Sequence, residues 1–325
     1  MRRYIIRRLL IAIPILFGVS LVTFTFANLA PGDPISALVK PGSDIRSEDI
    51  DKLKAELGLD QPFPERYVAW LGQVVQGNLG VSYDNGQSVA KTLGRAIPNT
   101  LLLMATALTI SVTLGIVLGV FSAFRQGTKI DNIMTAIVFS GISLPSYLIA
   151  LIAVFVFAVQ LKNLTGFGFF PAGGLQDPVS LLPEPVDRLW HLILPAAVLA
   201  FGGTATFLRY TRASVLEVMR NDYVTTARSK GLGEATVRRR HILRNALLPV
   251  VTVIGLSLPT LVTGALFVET LFSWPGVGSL AIQATQLHDY PVIMAVALLT
   301  SVVIVLSNLI TDIAYAFVDP RIHYA

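Results

Sequence analysis

Apolar residues in this chain arrive in blocks about as long as a bilayer is thick, so lipid is the solvent for most of the fold. Crossing the hydrocarbon core as a helix takes about 20 apolar residues. Six segments meet that length: Leu9–Leu29, Pro98–Phe124, Ile133–Leu161, Leu189–Leu208, Ala246–Phe272 and Tyr290–Phe317. With 53% hydrophobic and 14% charged residues, the chain lacks the polar surface a soluble domain of 325 residues needs. The expected class is an all-α integral membrane protein with six transmembrane helices. Pro14, Pro145, Pro195 and Pro259 fall inside these segments, where neighbouring helices re-satisfy the freed backbone groups. Two readings of them stand, kinks that serve a moving pathway and the ordinary proline content of membrane helices.

Basic residues set the orientation. Counted with the N-terminus inside, the inner segments hold 16 of the 25 Lys and Arg: four before the first span, two in Arg125–Asn132, nine in Arg209–Arg244, and Arg321. The excess predicts both termini in the cytoplasm. It also accounts for the net charge of +5 without nucleic acid as a partner. The start, Arg2-Arg3-Tyr4-Ile5-Ile6-Arg7-Arg8 before Leu9, resembles a secretory signal. Its apolar run is about twice the usual length and no small-x-small site follows, so the expectation is a retained first span. Without cysteine, disulfides and thiolate chemistry are excluded and the redox compartment stays open.

Residues 30–97 form an outer segment too patterned for a bare connection. Ser47 predicts a helix cap ahead of Glu48, Asp49 and Asp51, with Ile50, Leu53 and Leu57 on one face and Gly58 as the stop. After Pro62 and Pro64, the residues Tyr67, Trp70, Leu71, Val74 and Val75 make a second apolar face. The expectation is a small extracytoplasmic cap, either touching a delivering partner or plugging the outer side.

Catalytic chemistry finds no constellation. The four histidines, His191, His241, His288 and His323, are not paired at ligand spacing, so neither a metal site nor a catalytic residue is expected. His191 and His288 stand where interfacial imidazoles are common. No phosphate-binding G-x-x-x-x-G-K-[ST] loop occurs, so the chain holds no nucleotide site of that kind. Asp312 in the last span and Glu269 near the outer end of the fifth are the acids that a proton-coupled carrier would use. Otherwise the chain is a passive pore, or is driven from outside.

The inner segment 209–244 discriminates among these. Val215, Met219, Tyr223 and Ala227 recur at i+4, and Asn221-Asp222 can start a fresh helix. Gly231-Leu232-Gly233 then breaks the pattern, and Glu234 to His241 resumes it with Arg238-Arg239-Arg240. Helix, glycine turn, helix predicts a compact lever along the inner face, with small Ala227 and Gly231 admitting a partner's surface. A charged, solvated linker is the alternative.

These residues resemble the permease subunits of ABC importers, whose inner loop carries E-A-A-x-x-x-G. Here Thr225-Thr226-Ala227 is followed by Gly231, so the third position and the glycine fit and the first two do not. The family's I-x-L-P is His241-Ile242-Leu243-Arg244 with the proline delayed to Pro249. The dipeptide/oligopeptide/nickel-type branch, with its long first outer loop, is the most similar. Its likeness runs through Tyr4-Ile5-Ile6-Arg7-Arg8-Leu9-Leu10, Pro31-Gly32-Asp33-Pro34, Asp222-Tyr223-Val224 and Lys230-Gly231-Leu232. It continues through Arg244-Asn245-Ala246-Leu247-Leu248-Pro249, Val268 to Gly276, Asp289-Tyr290-Pro291 and Asp319-Pro320-Arg321.

The resemblance implies a type I ABC importer permease architecture with a cytoplasmic coupling helix, one transmembrane domain spanning 1–325, in the inner (cell) membrane. It implies a second homologous permease, two cytoplasmic ATPase subunits that bind ATP and magnesium, and an extracytoplasmic substrate-binding protein. No cofactor is expected in this chain. The coupling residues it implies are Tyr223, Ala227, Arg228, Lys230, Gly231, Leu232 and Gly233. A peptide, or alternatively nickel or another small solute, is the implied cargo. Phe272, Trp274, Pro275 and Gly276 read either as a turn with an interfacial Trp anchor or as an outer gate. Gly115-x-x-x-Gly119 predicts close helix packing, within the chain or against the second permease.

Overall fold

The computed structural model describes residues 2–29 and 60–318, except 167, 181 and 264. The Ser47 helix, Pro31-Gly32-Asp33-Pro34 and Asp319-Pro320-Arg321 lie outside the described residues. Helices dominate the rest: α1 (Arg2–Leu29), α2 (Phe63–Val75), α3 (Val89–Phe124), α4 (Lys129–Ser143), α5 (Ser146–Thr165) and α6 (Glu184–Met219) come first. Then follow α7 (Asp222–Ser229), α8 (234–246), α9 (Leu248–Leu256), α10 (Thr260–Thr263), α11 (Leu266–Leu271), α12 (Val277–Gln286) and α13 (Tyr290–Val318). Among the described residues, five helices are long and apolar enough to cross a membrane: α1, α3, α5, α6 and α13.

Two expected spans are broken, each at a proline. The third segment divides at Leu144-Pro145, because proline pushes its predecessor out of the helical region and Leu144 takes φ −88°, ψ 130°. The 15-residue α4 therefore precedes a separate spanning α5. The fifth segment is not one helix but the pieces α9, α10 and α11. Pro259 has no N–H for the carbonyl of Gly255, which accepts instead from Leu258 N–H at 3.1 Å and from the Thr311 hydroxyl of α13 at 2.9 Å. Pro14 and Pro195, in contrast, stay inside α1 and α6.

The two 36-residue helices α3 and α6 form the spine. Their seam is built from small residues one turn apart. A Cβ on Gly203 would lie 2.3 Å from Ser111 Oγ, one on Gly115 would lie 2.4 Å from Phe207 Cβ, and one on Gly119 would lie 2.7 Å from Thr211 Cβ. Backbones approach this closely only where side chains are absent. Gly115 and Gly119 thus face α6 of the same chain. Helix α1 leaves this spine to pack on α13 and on α2. The α2 aromatic face closes over Phe24, whose ring centroid is 5.4 Å from Phe63, 5.5 Å from Tyr67 and 5.1 Å from Trp70. Tyr67 also shares a 2.7 Å hydrogen bond with Ser20.

Candidate functional site: a helical lever and a locked hairpin

The lever starts where α6 ends. After Met219 the chain turns at Arg220-Asn221, and α7 begins with Asp222 in its first turn, where a negative charge complements the helix dipole. Val224 and Ala227 are buried in a cluster with Val215, Val218, Val237, Ile242, Ala246 and Ala123. That cluster joins α3, α6, α7 and α8 into one apolar knot. Thr225, Thr226 and Ser229 are exposed on the opposite face, Tyr223 and Arg228 are exposed along the two edges, and Lys230 is exposed just past the end of α7. Ala227 is therefore turned into the chain's own core, not toward a partner, which corrects its expected place in a contact surface. The reason is spacing: Val224 and Ala227 are three residues apart and share one face, and the valine carries the alanine inward.

Gly231 terminates α7 with φ +76°, its N–H bonded to Arg228 O at 2.9 Å. This left-handed residue is what a glycine supplies without steric cost. Leu232 and Gly233 are exposed beside it. Across the turn, Glu234 accepts from Arg228 at 3.0 and 3.2 Å and from Arg238 at 3.3 Å. The two guanidinium groups hold its carboxyl below the usual range, the Arg228 hydrogen bond being the larger cause. From α8, Asn245 donates to the Tyr223 hydroxyl at 3.2 Å.

A second feature has no trace in the sequence pattern. Asp131, in the first turn of α4, is 3% exposed. Its oxygens accept from Arg212 Nε and Nη2, both at 2.8 Å, from Ser122 Oγ at 2.5 Å, and from Gly127 N–H at 3.0 Å. The fork-to-fork pair with Arg212 holds the Asp131 carboxyl far below the usual carboxylate range. It ties the α3–α4 turn to the stem of α6 that carries the lever.

Near the opposite end of α3, 265–279 folds around Glu269, which is fully buried. Its carboxylate accepts from Thr100 Oγ1 at 3.0 Å, Ser279 N–H at 3.0 Å and Ala265 N–H at 3.4 Å. Thr100 in turn accepts from Val277 N–H at 2.8 Å, so its own proton is committed to Glu269. The carboxylate thus caps the start of α12 and bonds α3 as well. Gly276 and Gly278 make room for it: a Cβ there would lie 2.4 and 2.9 Å from Oε2. Ser273 sits at φ +47°, strained for a non-glycine residue. Trp274 is fully buried, donates from Nε1 to Asn99 O at 2.9 Å, and packs with Leu103, Leu192 and Ala196. Asn99 answers by donating to Pro275 O at 2.9 Å.

The interfacial-anchor reading of Trp274 is corrected accordingly, because its indole lies between two spans. Phe272 is buried among Ala150, Leu194 and Val198. His191 is likewise buried rather than interfacial, its Nδ1 2.9 Å from Asp187 O. Asp312 lies in α13, and its side chain is outside what is described. Among the described residues no group of three or more His, Asp or Glu could hold a metal ion.

The spans, the lever and the hairpin match known proteins along the whole chain. Residues 115–324 match the family model "Binding-protein-dependent transport system inner membrane component", and residues 1–104 match its N-terminal companion model. The chain is 42% identical over 325 residues to an oligopeptide transport system permease protein of Bacillus subtilis, covering 100% of each. It is 36% identical over 324 residues to a glutathione transport system permease protein of Escherichia coli K12, again covering 100% of each. Among solved structures, the inward-facing MetNI methionine ABC transporter superposes with a TM-score of 0.53 at 18% identity, covering 70% of this chain and 96% of that one. That likeness shows the fold. The chain belongs to the binding-protein-dependent transport system inner membrane components, the multi-pass permease subunits of ABC importers.

Proposed function

We propose that this chain forms half of the translocation path of a peptide importer, the other half being a second, related permease. The cargo class follows the names of the full-length relatives, which are oligopeptide and glutathione permeases. Energy enters through α7. Its exposed row, with Tyr223, Arg228 and Lys230, docks on one of two cytoplasmic ATPase subunits, which bind the ATP and magnesium. This chain binds no cofactor. Gly231, Leu232 and Gly233 form the rim of that contact, while Val224 and Ala227 anchor the helix to the spans. Both termini and α7 lie on the cytoplasmic side, and residues 30–97 form the extracytoplasmic cap that meets the substrate-binding protein. Phe272, Trp274, Pro275 and Gly276 move with the head of α3 as one rigid closure.

One observation carries the reading: α7 is bolted to α3, α6 and α8 by a buried apolar face while its opposite face is left open. A push on that face therefore reaches the spans as a rigid-body displacement, the form of coupling such machines use. The absence of cysteine makes the test clean. A single cysteine at Tyr223 should cross-link to the ATPase subunit in the assembled complex, with a yield that changes on ATP addition, and one at Val224 should not. Peptide uptake by the purified chain alone, driven by a proton gradient, would overturn the proposal.

A further inference from the structure

We propose that α8 holds the headgroup of an anionic phospholipid in an arginine-lined groove. The stretch Val237–Leu243 is π-helical, and its widened turn spreads three consecutive arginines. Arg238 turns back to Glu234 and stacks its guanidinium 4.8 Å from the centroid of Phe124. Arg239 and Arg240 point elsewhere. With Arg244, Ala235 and Thr236 they line a shallow groove of about 570 Å³. Arg239 also borders a neighbouring groove of about 640 Å³, whose walls include Phe124 and Leu243.

Three observations single out the occupant. Arg239, Arg240 and Arg244 are exposed and have no acidic partner among the described residues. The nearby acid, Glu234, is already committed to Arg228 and Arg238. Three guanidinium forks with open donors suit phosphate oxygens, which they bind two bonds at a time. Finally, the adjoining groove shares Ala235 and Arg239 with the first and has Phe124, the last residue of the apolar helix α3, and Leu243 in its walls beside Glu234 and Arg238. A cationic groove that continues, through Ala235 and Arg239, into one with apolar walls at the end of the long apolar helix α3 matches a phosphodiester with its acyl chains. Headgroup binding there would brace α8, and through the shared apolar knot, α7.

The test uses the purified full-length chain in nanodiscs of phosphatidylcholine doped with phosphatidylglycerol, reading bound lipid by native mass spectrometry. The expected result is selective retention of phosphatidylglycerol. The triple substitution Arg239→Gln, Arg240→Gln, Arg244→Gln should weaken it on the order of 100-fold, at about fivefold per surface arginine. Removing the same charge as Arg2→Gln, Arg3→Gln, Arg7→Gln should weaken retention far less than the groove triple does, because those residues act only through diffuse charge. Should the groove triple fail to fold, Arg240→Gln alone carries the test, with an expected loss of about fivefold. Equal losses in both triples would reduce the effect to diffuse positive charge and overturn the site. Displacement of the lipid by inorganic phosphate alone would overturn the lipid assignment. A groove triple that keeps its lipid but no longer co-purifies with the ATPase subunit would make the groove a protein interface instead.

Discussion

The hairpin near the head of α3 and the lever at its foot solve opposite problems with the same residue types. Each is organised by a glutamate and punctuated by glycine, but Glu269 is fully buried and Glu234 is open to water. Around Glu269 the donors include two backbone N–H groups, which can do nothing but donate, and no cation is among its hydrogen-bond partners. Around Glu234 the donors are two flexible, solvated arginines. The first arrangement has one geometry. The second is a clasp whose strength solvent limits, as the proposed docking of α7 on an ATPase subunit requires. The difference makes the hairpin a fixed joint between helices and the clasp a loose one.

The largest expected effect tests the fixed joint. Glu269→Ala leaves the buried Thr100 hydroxyl and two part-buried backbone N–H groups without their acceptor, at about 1–3 kcal/mol each less whatever relaxation and water recover, so a loss of about 4 kcal/mol is expected. Glu269→Gln keeps the shape but aims an amide N–H₂ at donors, and should cost about 2 kcal/mol. Thermal unfolding of the purified variants in detergent measures both. A glutamine variant as stable as the native chain would show that packing, not hydrogen-bond acceptance, makes the joint.

Asp131 sharpens the comparison because the lever end of α3 has a buried carboxylate too, held by a cation. Asp131→Asn strands part of the Arg212 fork, whose side chain is 28% exposed. The loss should be about 3 kcal/mol, at the low end for broken buried pairs. The pH dependence has a definite sign. Because folding lowers the Asp131 pKa, its stabilisation is complete above the unfolded value of about 3.9 and is lost as pH falls below it toward the folded value. Unfolding midpoints measured from pH 6 down to pH 3 should fall less steeply for Asp131→Asn than for the native chain.

These two carboxylates also mark how far the one-dimensional pattern reaches. The apolar blocks, the second cap helix at Phe63–Val75, the fresh start at Asp222 and the stop at Gly231 were all legible, because each rests on contacts within one or two turns. Family membership was legible in the same motifs. The breaks at Pro145 and Pro259 were not, since a proline inside an apolar run either kinks or divides a helix according to its neighbours, and Thr311 is 56 residues from Gly255. Asp131 and Arg212 are 81 residues apart, and Thr100 and Glu269 are 169 apart. Nothing local announces such pairs. Ala227 misled for a related reason: its small size suits a close approach on either side, and only the burial of Val224 and Ala227 together decides which.

At the lever, Gly231→Val tests whether the turn is as specific as the joint. A Cβ at Gly231 meets nothing within 4 Å, so crowding is not the issue; the φ of +76° is. A β-branched residue in that conformation costs about 1–2 kcal/mol. The expectation is normal membrane insertion, modestly lower stability, and ATP hydrolysis no longer matched by uptake in reconstituted complexes. Gly231→Asn, which tolerates the left-handed region better, should recover most of the coupling. Native-like uptake in the valine variant would mean the lever does not need its turn.

The smallest effect is expected where the contrast predicts it, at the clasp. Glu234→Gln removes the charge that holds Arg228 and Arg238 but leaves their solvation intact, and exposed pairs of this kind contribute little. A shift in Tm of under about 2 °C is expected, shrinking further in high salt, where the Debye length is a few ångströms. On the proposed docking of α7, assembly should respond more than stability does, because a freed Arg228 changes the exposed surface of that helix. Affinity for that subunit, titrated against salt, should therefore separate the variant from the native chain even while their melting curves overlay. If instead Glu234→Gln melted as early as Glu269→Gln, the clasp would be a second fixed joint and the division of labour between the two faces would not hold.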